Sequence, residues 1–392
     1  MQSLFLASVI FCVYTYAIYP FWLWFRVKYL GVSRRIVAAR ATHESPDCPG
    51  NKDTAVIADG TPKVSIVIAA HNEERHLPTK LASLASIDYP ADKLQVVIIS
   101  DGSTDATPEL LRQSAVDYRH YEPAKGKPTA LNTGVAIATG DIIVFMDARQ
   151  SVSPNVVRSL VNRFDDPTVG VVSGELVLSD DGHREAANVG LYWRYEKWIR
   201  QNESELFSTT GATGALYAVR REDVVELAED VLLDDFEIPI QVLRQGKRTV
   251  FESGAVAFDR AEEDAGDEFR RKVRTLTGNF QSFSRNRWLF DPFTNPVCWQ
   301  FLSHKVFRLL VPVAMFVALI ASLLGDGWFL NIAFVLQALF YISGVAALYF
   351  PAVAKYRILN FIKVFLQMNA AAVVGAWRYF FGSADVKWKA SQ

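Results

Sequence analysis

Long apolar runs lie at both ends of the chain and predict membrane-spanning helices. At the N-terminus, residues 4–25 form an uncharged run that can cross about 30 Å of hydrocarbon at roughly 1.5 Å per residue. No Lys or Arg precedes this run, whereas basic residues follow from Arg26 onward. The positive-inside rule therefore predicts an uncleaved anchor, with the N-terminus outside and residue 26 onward in the cytosol.

The C-terminal part of the chain contains two further apolar runs, residues 309–325 and 328–350. The turn that separates them contains Asp326, which is costly at mid-bilayer and therefore belongs at the far surface. A third stretch, residues 358–381, carries Lys363 and Asn369 and fits either another span or a helix lying along the interface. We favour the span, which gives three C-terminal crossings; a helix along the interface would leave two.

Between these ends, strands and helices alternate. Short β-branched runs predict strands at residues 64–69, 94–99 and 141–146, and helices are predicted at 73–87 and 130–138. This alternation is typical of an α/β domain with a mostly parallel sheet, whose ligand crevice lies beyond the carboxyl ends of the strands.

Charged side chains follow these predicted strands. Glu73 comes shortly after the first strand, Asp101 ends the second and Asp147 ends the third, while Lys125 and Lys127 occupy an intervening loop. Carboxylates for a divalent ion, with lysines nearby, suit a nucleoside diphosphate. Taken singly, Asp101 equally fits a turn-forming residue and the lysines fit a solvated loop; the set together favours a binding site.

Composition and charge narrow the function classes. Half of the 392 residues are hydrophobic, and the formal net charge of -1 argues against a nucleic-acid partner. The three cysteines are far apart and predict neither a disulfide framework nor a zinc site. The predicted organisation is an anchor at 1–25, a basic segment and linker at 26–62, a cytosolic α/β domain at 63–290, an interfacial segment at 291–308, a membrane region at 309–381 and a tail at 382–392.

Three segments in the α/β region resemble the successive signatures of glycosyltransferase family 2. They read IAAHNEE at 68–74, SDGSTD at 100–105 and GKPTALN at 126–132, in the family's order and spacing. The resemblance implies a GT-A fold that binds a nucleotide sugar, with membrane helices similar to those of the family's polysaccharide synthases. It does not name the sugar.

The resemblance implies roles for the donor side of the site. Ala70 and Glu73 would line the pocket for the base and ribose, Asp101 would contact the base, and Lys127 would lie over the nucleotide. Asp147 stands where the family's metal-binding DxD motif begins and is the expected ligand of Mg²⁺ or Mn²⁺.

Arg149 replaces the second carboxylate of that motif. Two interpretations stay open. Either Asp147 and the diphosphate hold a metal with help from elsewhere, or Arg149 supplies part of its charge, because a guanidinium can neutralise and hydrogen-bond phosphate oxygens. We expect a metal.

The acceptor side is expected further along the chain. Small residues around Gly214 would let a sugar ring approach, although they also fit a tight turn. Asp234 and Asp235 occupy the place of the family's Glu-Asp motif, whose second acid is the catalytic base, so Asp235 is the predicted base. Asp234 would lie on the acceptor side, and Asp234 or Glu237 could take over the role of the base.

Arg274 falls where polymerising members carry the Arg of a QxxRW motif and would grip the diphosphate. Arg271 replaces the Gln and Thr275 replaces the Trp, which in the family forms part of the acceptor platform. A basic amphipathic helix resting on anionic lipid is the alternative interpretation of this segment.

Three functions follow from these expectations. The first is an inverting transferase of a bacterial inner membrane that uses a UDP-sugar to build a cell-surface polysaccharide, with possible export subunits. The second transfers one sugar to a polyprenyl phosphate or another lipid. The third is a non-enzymatic membrane scaffold, supported only by Arg149 and Thr275.

Overall fold

The computed structural model of the chain describes residues 1–30, 61–179, 186–260 and 265–382. Most of the predicted linker and nearly all of the tail therefore lie outside the described residues. The described chain divides into two compact units. The sheet unit contains the strands, and the helix unit contains the apolar helices with the described parts of Met1–Leu30, Asp180–Ile199 and Ala261–Ala384.

The sheet unit is built on eight strands in the order β3-β2-β1-β4-β7-β6-β8-β5. The strands are β1 (Val64–Ala70), β2 (Leu94–Asp101), β3 (Asp117–Tyr121), β4 (Ile142–Asp147), β5 (Ser151–Val152), β6 (Val169–Ser179), β7 (Leu216–Arg220) and β8 (Arg248–Arg260). The pairings β1–β2, β1–β4, β2–β3 and β6–β8 are parallel, and the pairings of β4 with β7, β6 with β7 and β5 with β8 are antiparallel. The sheet is therefore mixed, with the predicted parallel part at β3-β2-β1-β4.

Helices connect these strands. They are α2 (Leu77–Ala85), α3 (Thr107–Arg112), α4 (Lys127–Ile137), α5 (Val156–Val161) and α7 (Asp234–Arg244). Of the helix α6 (Ala186–Leu206), the C-terminal part from Arg200 onward belongs to the sheet unit. Pro78, Pro108 and Pro128 each lie in the first turn of a helix, where the missing N–H costs nothing and the fixed φ suits the helix. The helices predicted at 73–87 and 130–138 are confirmed with shifted ends.

The central strand β1 is buried along its whole length, as expected for a strand covered on both faces. Ile66 and Ile68 pack into one hydrophobic core, and Val67 packs into the other. Gly134 permits the close approach of α4, because a Cβ there would lie 2.4 Å from a methyl carbon of Val67. The β1 register pairs Ala70 with Ser100 and Ala69 with Asp147, which brings the carboxyl ends of β2, β1 and β4 to one edge.

Within the described residues, the helix unit contains four helices that are long and apolar enough to cross a membrane. They are α1 (Gln2–Leu30), α9 (Cys298–Leu324), α10 (Trp328–Tyr349) and α12 (Arg357–Phe381). The stretch 358–381, for which two interpretations were open, lies within α12, one continuous 25-residue helix of sufficient length and hydropathy. The one-turn helix α11 (Pro351–Ala354) joins α10 to α12, and the amphipathic α8 (Ala265–Arg285) packs against α12.

A buried polar cluster joins α6 to α9 inside the helix unit. The Glu196 carboxylate pairs with Arg308 and lies 3.1 Å from Nε2 of His304. His304 sits in a π-helical turn, Leu302–Val306, and Tyr14 in the facing π-helical turn of α1 contacts Ser303 at 2.9 Å between hydroxyl oxygens. In the structure, α8 and part of α6 group with the apolar helices. The domain boundary at residue 290 stays a prediction.

Candidate active site

The loops that follow β1 and β2 are tied to each other by hydrogen bonds. The Asn72 and Glu73 amides donate to the hydroxyls of Ser103 and Thr107 at 3.1 and 2.8 Å. In return, the Thr104 amide donates to the Asn72 side chain at 2.8 Å. Asn72 holds this position with a positive φ of 56°, which is uncommon outside glycine. The two loops therefore form one ordered rim at the end of the parallel strands.

Asp101 organises a third loop onto this rim. Its two carboxylate oxygens accept the amide N–H groups of Lys125 and Gly126, both at 2.7 Å, and its side chain is fully buried. Gly102 is required next to it, since its φ is +61° and a Cβ would lie 2.4 Å from the Ala124 nitrogen. In the structure Asp101 thus fixes the loop that leads into α4, and its contact with a nucleotide base stays a prediction.

Lys127, the first residue of α4, lies between two carboxylates from different segments. Its ammonium is 2.9 Å from Asp147 at the end of β4 and 3.0 Å from Asp234 at the start of α7. Burial lowers the pKa of Lys127, but the charges of Asp147 and Asp234 and their hydrogen bonds outweigh it and raise the pKa above its usual range. Lys127 therefore stays protonated and joins the predicted donor side to the predicted acceptor side.

Asp234 is fully engaged in this arrangement. One oxygen faces Lys127, and the other accepts a 2.9 Å hydrogen bond from the hydroxyl of Tyr217 on β7. Burial, followed by the charge of Asp234, raises the pKa of Tyr217, so the phenol remains a donor. These contacts give Asp234 a positioning role and leave the neighbouring Asp235 as the better candidate for chemistry.

Asp235 is half-buried and faces the loop at residues 211–215, here called the glycine loop, which precedes β7. A Cβ on Gly214 would lie 2.9 Å from Oδ2 of Asp235, so a larger residue there would press on this carboxylate. The Ala212 amide donates to the Asp235 carbonyl at 2.8 Å and fixes the loop against α7. The structure therefore brings the predicted acceptor-side Gly214 and the predicted base Asp235 together.

The surroundings of Asp235 shift its titration. Burial raises its pKa to about 6, with a further increase from the charge of Asp234 and opposing effects from Lys127 and Arg200. Arg200, on α6, donates to the hydroxyl of Thr213 at 2.9 Å and so reaches the same glycine loop. A carboxylate with this pKa is mostly ionised at neutral pH and is a suitable general base.

Arg149 has a partner that the sequence analysis did not identify. Its Nε donates to Oδ1 of Asp259 at 2.8 Å, and the side-chain amide of Gln150 donates to Oδ2 of Asp259 at 3.0 Å. The Asp259 side chain is only 3% exposed. This pair holds the loop after Asp147 and orients the guanidinium that replaces the DxD carboxylate.

Lys80 also contacts the loop that follows Asp147. Its side chain is buried, and the ammonium donates to the Gln150 carbonyl at 3.0 Å and contacts the Met146 sulfur at 3.6 Å. Burial lowers the pKa of Lys80 to about 7, against the opposing charge of Asp147. One signal in the sequence points to it: Lys80 follows Leu77 by three residues and precedes Leu84 by four, which places a charge on the apolar face of α2.

Glu73 and Ala70, the predicted lining of the base and ribose pocket, differ in character. Ala70 is fully buried in the core, so it contributes the strand end rather than an accessible side chain. Burial raises the pKa of Glu73 to about 7, with a further increase from Asp147 and a decrease from Arg149. The charges of Asp147 and Arg149 therefore act on Glu73, which lies at the same end of the crevice.

At this edge, a divalent ion would be bound through a single protein carboxylate, that of Asp147. Among the residues that the structure describes, no group of three or more His, Cys, Asp or Glu side chains is arranged to hold a metal. Asp147 is 37% exposed, and only one of its oxygens is shown bonded to Lys127. One carboxylate with substrate phosphates and water is an ordinary donor set for Mg²⁺, so the site fits an ion that arrives with a diphosphate.

Arg274 lies on α8, which belongs to the helix unit, and its side chain is exposed. Its predicted contact with a diphosphate stays a prediction. The other charged residues predicted for the site, Glu73, Asp101, Lys127, Asp147, Arg149, Asp234 and Asp235, all belong to the sheet unit. Lys80, Arg200, Tyr217 and Asp259 are additional residues found through the structure.

Comparison with known proteins finds a family model that matches part of the chain. Residues 65–227 match the family model described as Glycosyl transferase family 2. The chain is similar to the probable glycosyltransferase YdaM of Bacillus subtilis, with 27% identity over 59% of this chain and 61% of that protein. It is also similar to the beta-monoglucosyldiacylglycerol synthase of a Synechocystis strain, with 26% identity over 64% of this chain and 56% of that protein. The chain thus spans about three fifths of the length of these relatives.

A solved structure resembles nearly the whole chain in fold. The mannosyltransferase PcManGT from Pyrobaculum calidifontis, described in complex with GDP-Man and Mn²⁺, superposes with a TM-score of 0.68. The match covers 96% of this chain and 99% of that one at 22% sequence identity. The GT-A fold expected from the sequence is confirmed.

Replacing Lys127 tests the bridge between Asp147 and Asp234. We expect Lys127→Met to lower the free energy of unfolding by about 1–3 kcal/mol, since the partly buried carboxylates lose their shared cation while solvent still screens Asp147. Thermal unfolding in detergent measures the effect. Lys125→Met is the matched control because its exposed side chain forms neither ion pair; equal destabilisation by both variants would contradict the bridge.

Proposed function

We propose that this chain, whose residues 65–227 match the glycosyl transferase family 2 model, transfers a sugar from a nucleoside diphosphate donor to a hydroxyl group of a membrane lipid, with inversion at the anomeric carbon. The observation that carries the proposal is the convergence of Lys127, Asp147 and Asp234 in one ion-paired group next to Asp235. Measuring sugar transfer by the Asp235→Asn variant tests it.

Asp235 is the proposed general base. It accepts the proton of the acceptor hydroxyl while that oxygen forms a bond to the anomeric carbon of the sugar. The bond from the anomeric carbon to the diphosphate breaks on the opposite side, and its electron pair leaves with the nucleoside diphosphate. Gly214 leaves the space in which the acceptor hydroxyl can approach Asp235.

The proposed donor side neutralises the departing diphosphate. Lys127, from the start of α4, and Arg149 place cations near the end of β4, and Asp259 contacts Arg149. Preorganised charges of this kind stabilise the transition state because they do not have to reorient during the reaction. A divalent ion held by Asp147 would supply Lewis-acid stabilisation of the same charge.

The raised pKa of Asp235 favours a hydroxyl acceptor over a phosphate acceptor. An alcohol must lose its proton as it attacks, so a base contributes to the rate. A phosphate monoester is already largely ionised at neutral pH, because its second pKa is about 6, and it needs no such base. A general base at Asp235 therefore favours a hydroxyl acceptor over a polyprenyl phosphate.

The membrane setting supports a lipid acceptor. Four helices of sufficient length and hydropathy provide a means of holding the enzyme at a bilayer. The Synechocystis relative is named for a glucosyl diacylglycerol product, which comes from a lipid hydroxyl. We propose an integral membrane protein whose sheet unit works on the cytosolic side, as the basic residues after α1 suggest.

Asp235→Asn should reduce sugar transfer by 10²–10⁴-fold, the typical contribution of a general base. Donor binding and the melting temperature should persist, since the amide keeps the shape of the carboxylate. Glu237→Gln is the matched control, because the Glu237 carboxylate accepts from Gln241 on the same helix. Steady-state transfer assays and nucleotide binding measure both; full activity in Asp235→Asn would refute the assignment of the base.

The product class separates a lipid acceptor from a growing polymer. Proteoliposomes incubated with a panel of labelled UDP- and GDP-sugars should yield a chloroform-soluble product that carries one sugar. The missing QxxRW Trp, replaced by Thr275, supports this expectation over a processive synthase. Labelled material of high mass that stays in the aqueous phase would instead identify a polysaccharide synthase.

The pH profile should report the titration of Asp235. Because the base must be ionised, kcat/KM should fall as the pH drops below about 6, the raised pKa of Asp235. Arg200 lowers this pKa, so Arg200→Gln should move the acidic limb to higher pH, whereas Arg200→Lys retains the charge and should leave it nearly in place. An acidic limb at the same pH in Arg200→Gln and wild type would exclude this coupling.

A further inference from the structure

A turn in the helix unit holds a phenylalanine almost entirely outside the protein. Phe293 is 96% exposed, more than any other large hydrophobic residue described in the chain. It lies between α8 and α9, five residues before Cys298, where a helix long enough to span a membrane begins. Exposure of one apolar residue is ordinary, but a full Phe ring at the tip of a fixed turn calls for an explanation.

The turn that carries Phe293 is built rigidly. One oxygen of Asp291 accepts the Phe293 amide at 2.9 Å, and the other accepts the Thr294 hydroxyl at 3.1 Å. Asn295, itself buried, donates from its side chain to the Leu289 carbonyl at 2.7 Å and accepts the Val297 amide at 3.0 Å. The ring is therefore presented by an ordered backbone and not by a loose loop.

Aromatic packing fixes the base of the turn to the helices on either side. Phe290 lies 5.2 Å from Phe301 of α9 between ring centroids, and Phe301 lies 4.8 Å from Phe283 of α8, both edge to face. Leu289 and Phe301 are fully buried. The turn thus packs against the first turn of α9, which is a candidate span. This packing fixes the position of the turn relative to α9.

The surroundings of Phe293 combine exposed aromatic rings with positive charge. Phe290 is 43% exposed and Trp299 is 53% exposed, and both flank the turn. Arg285 and Arg287, just before it, are also exposed. Aromatic rings at the level of the headgroups, with basic residues beside them, are the pattern of a segment that rests in the interface of an anionic leaflet.

We propose that residues 291–295 form an interfacial anchor that inserts Phe293 into the bilayer leaflet at the start of α9, with Arg285 and Arg287 paired to anionic headgroups. The anchor rests on the proposed function only in requiring the four apolar helices to lie in a bilayer. It would set the depth and tilt at which α8 and α9 meet the membrane surface, because the turn joins these two helices.

Site-directed spin labelling tests the anchor in the full-length chain. Cys12, Cys48 and Cys298 are replaced by Ala, and single cysteines are introduced at Phe293, at Leu336 in the middle of α10 and at the exposed Glu226 of the sheet unit. Each labelled protein is reconstituted into nanodiscs of phosphatidylcholine with or without phosphatidylglycerol. Collision rates with oxygen, which partitions into lipid, and with a water-soluble nickel chelate give the depth of each label.

The label at position 293 should collide several-fold more with oxygen than with nickel and should report a depth between those at 226 and 336. The depth should increase with phosphatidylglycerol, and Arg285→Gln combined with Arg287→Gln should remove that increase. A label at 293 as open to nickel as that at 226 would overturn the anchor. Shielding from both reagents would also overturn it, since a protein surface would then cover Phe293. If the label at 336 is open to nickel as well, the membrane assignment itself fails.

Discussion

The site depends on one ammonium group shared by two carboxylates. Lys127 begins α4, Asp147 ends β4 and Asp234 begins α7, so its two ion pairs connect three segments that are distant in sequence. Without a cation at this point, the acidic residues near it would repel one another in a partly buried space. The placement of Lys127 in turn depends on Asp101, whose carboxylate holds the two backbone amides that precede it.

The two adjacent acids, Asp234 and Asp235, have different surroundings. Asp234 is held by Lys127 and by the hydroxyl of Tyr217, whereas Asp235 points towards the space that Gly214 leaves open. Both lie in the first turn of α7, where the helix dipole favours negative charge. One carboxylate is thus held by contacts within the protein and its neighbour is the proposed base, although the two have the same side chain and adjacent positions in the sequence.

The sequence allows prediction of the half of the sheet whose strands are short, apolar and bounded by polar residues. β1, β2 and β4 follow from their β-branched runs, and their carboxyl ends carry Glu73, Asp101 and Asp147 as expected. The antiparallel strands are less predictable, because β8 mixes charged, small and apolar residues along 13 positions and is positioned by pairing with β6. Asp259 on β8 and Arg200 on α6 gave no local signal, since their partners are distant in sequence.

The pair of Arg149 and Asp259 has a consequence for how sequences of this kind can diverge. An aspartate at position 149, which would restore the second DxD acid, would place a negative charge close to a nearly solvent-excluded Asp259. That single exchange would be unfavourable, and so would neutralising Asp259 alone, because the guanidinium would lose the nearly buried carboxylate that its Nε contacts at 2.8 Å. The two positions are therefore epistatic: a passage between a two-carboxylate site and an arginine-containing one requires paired changes 110 residues apart.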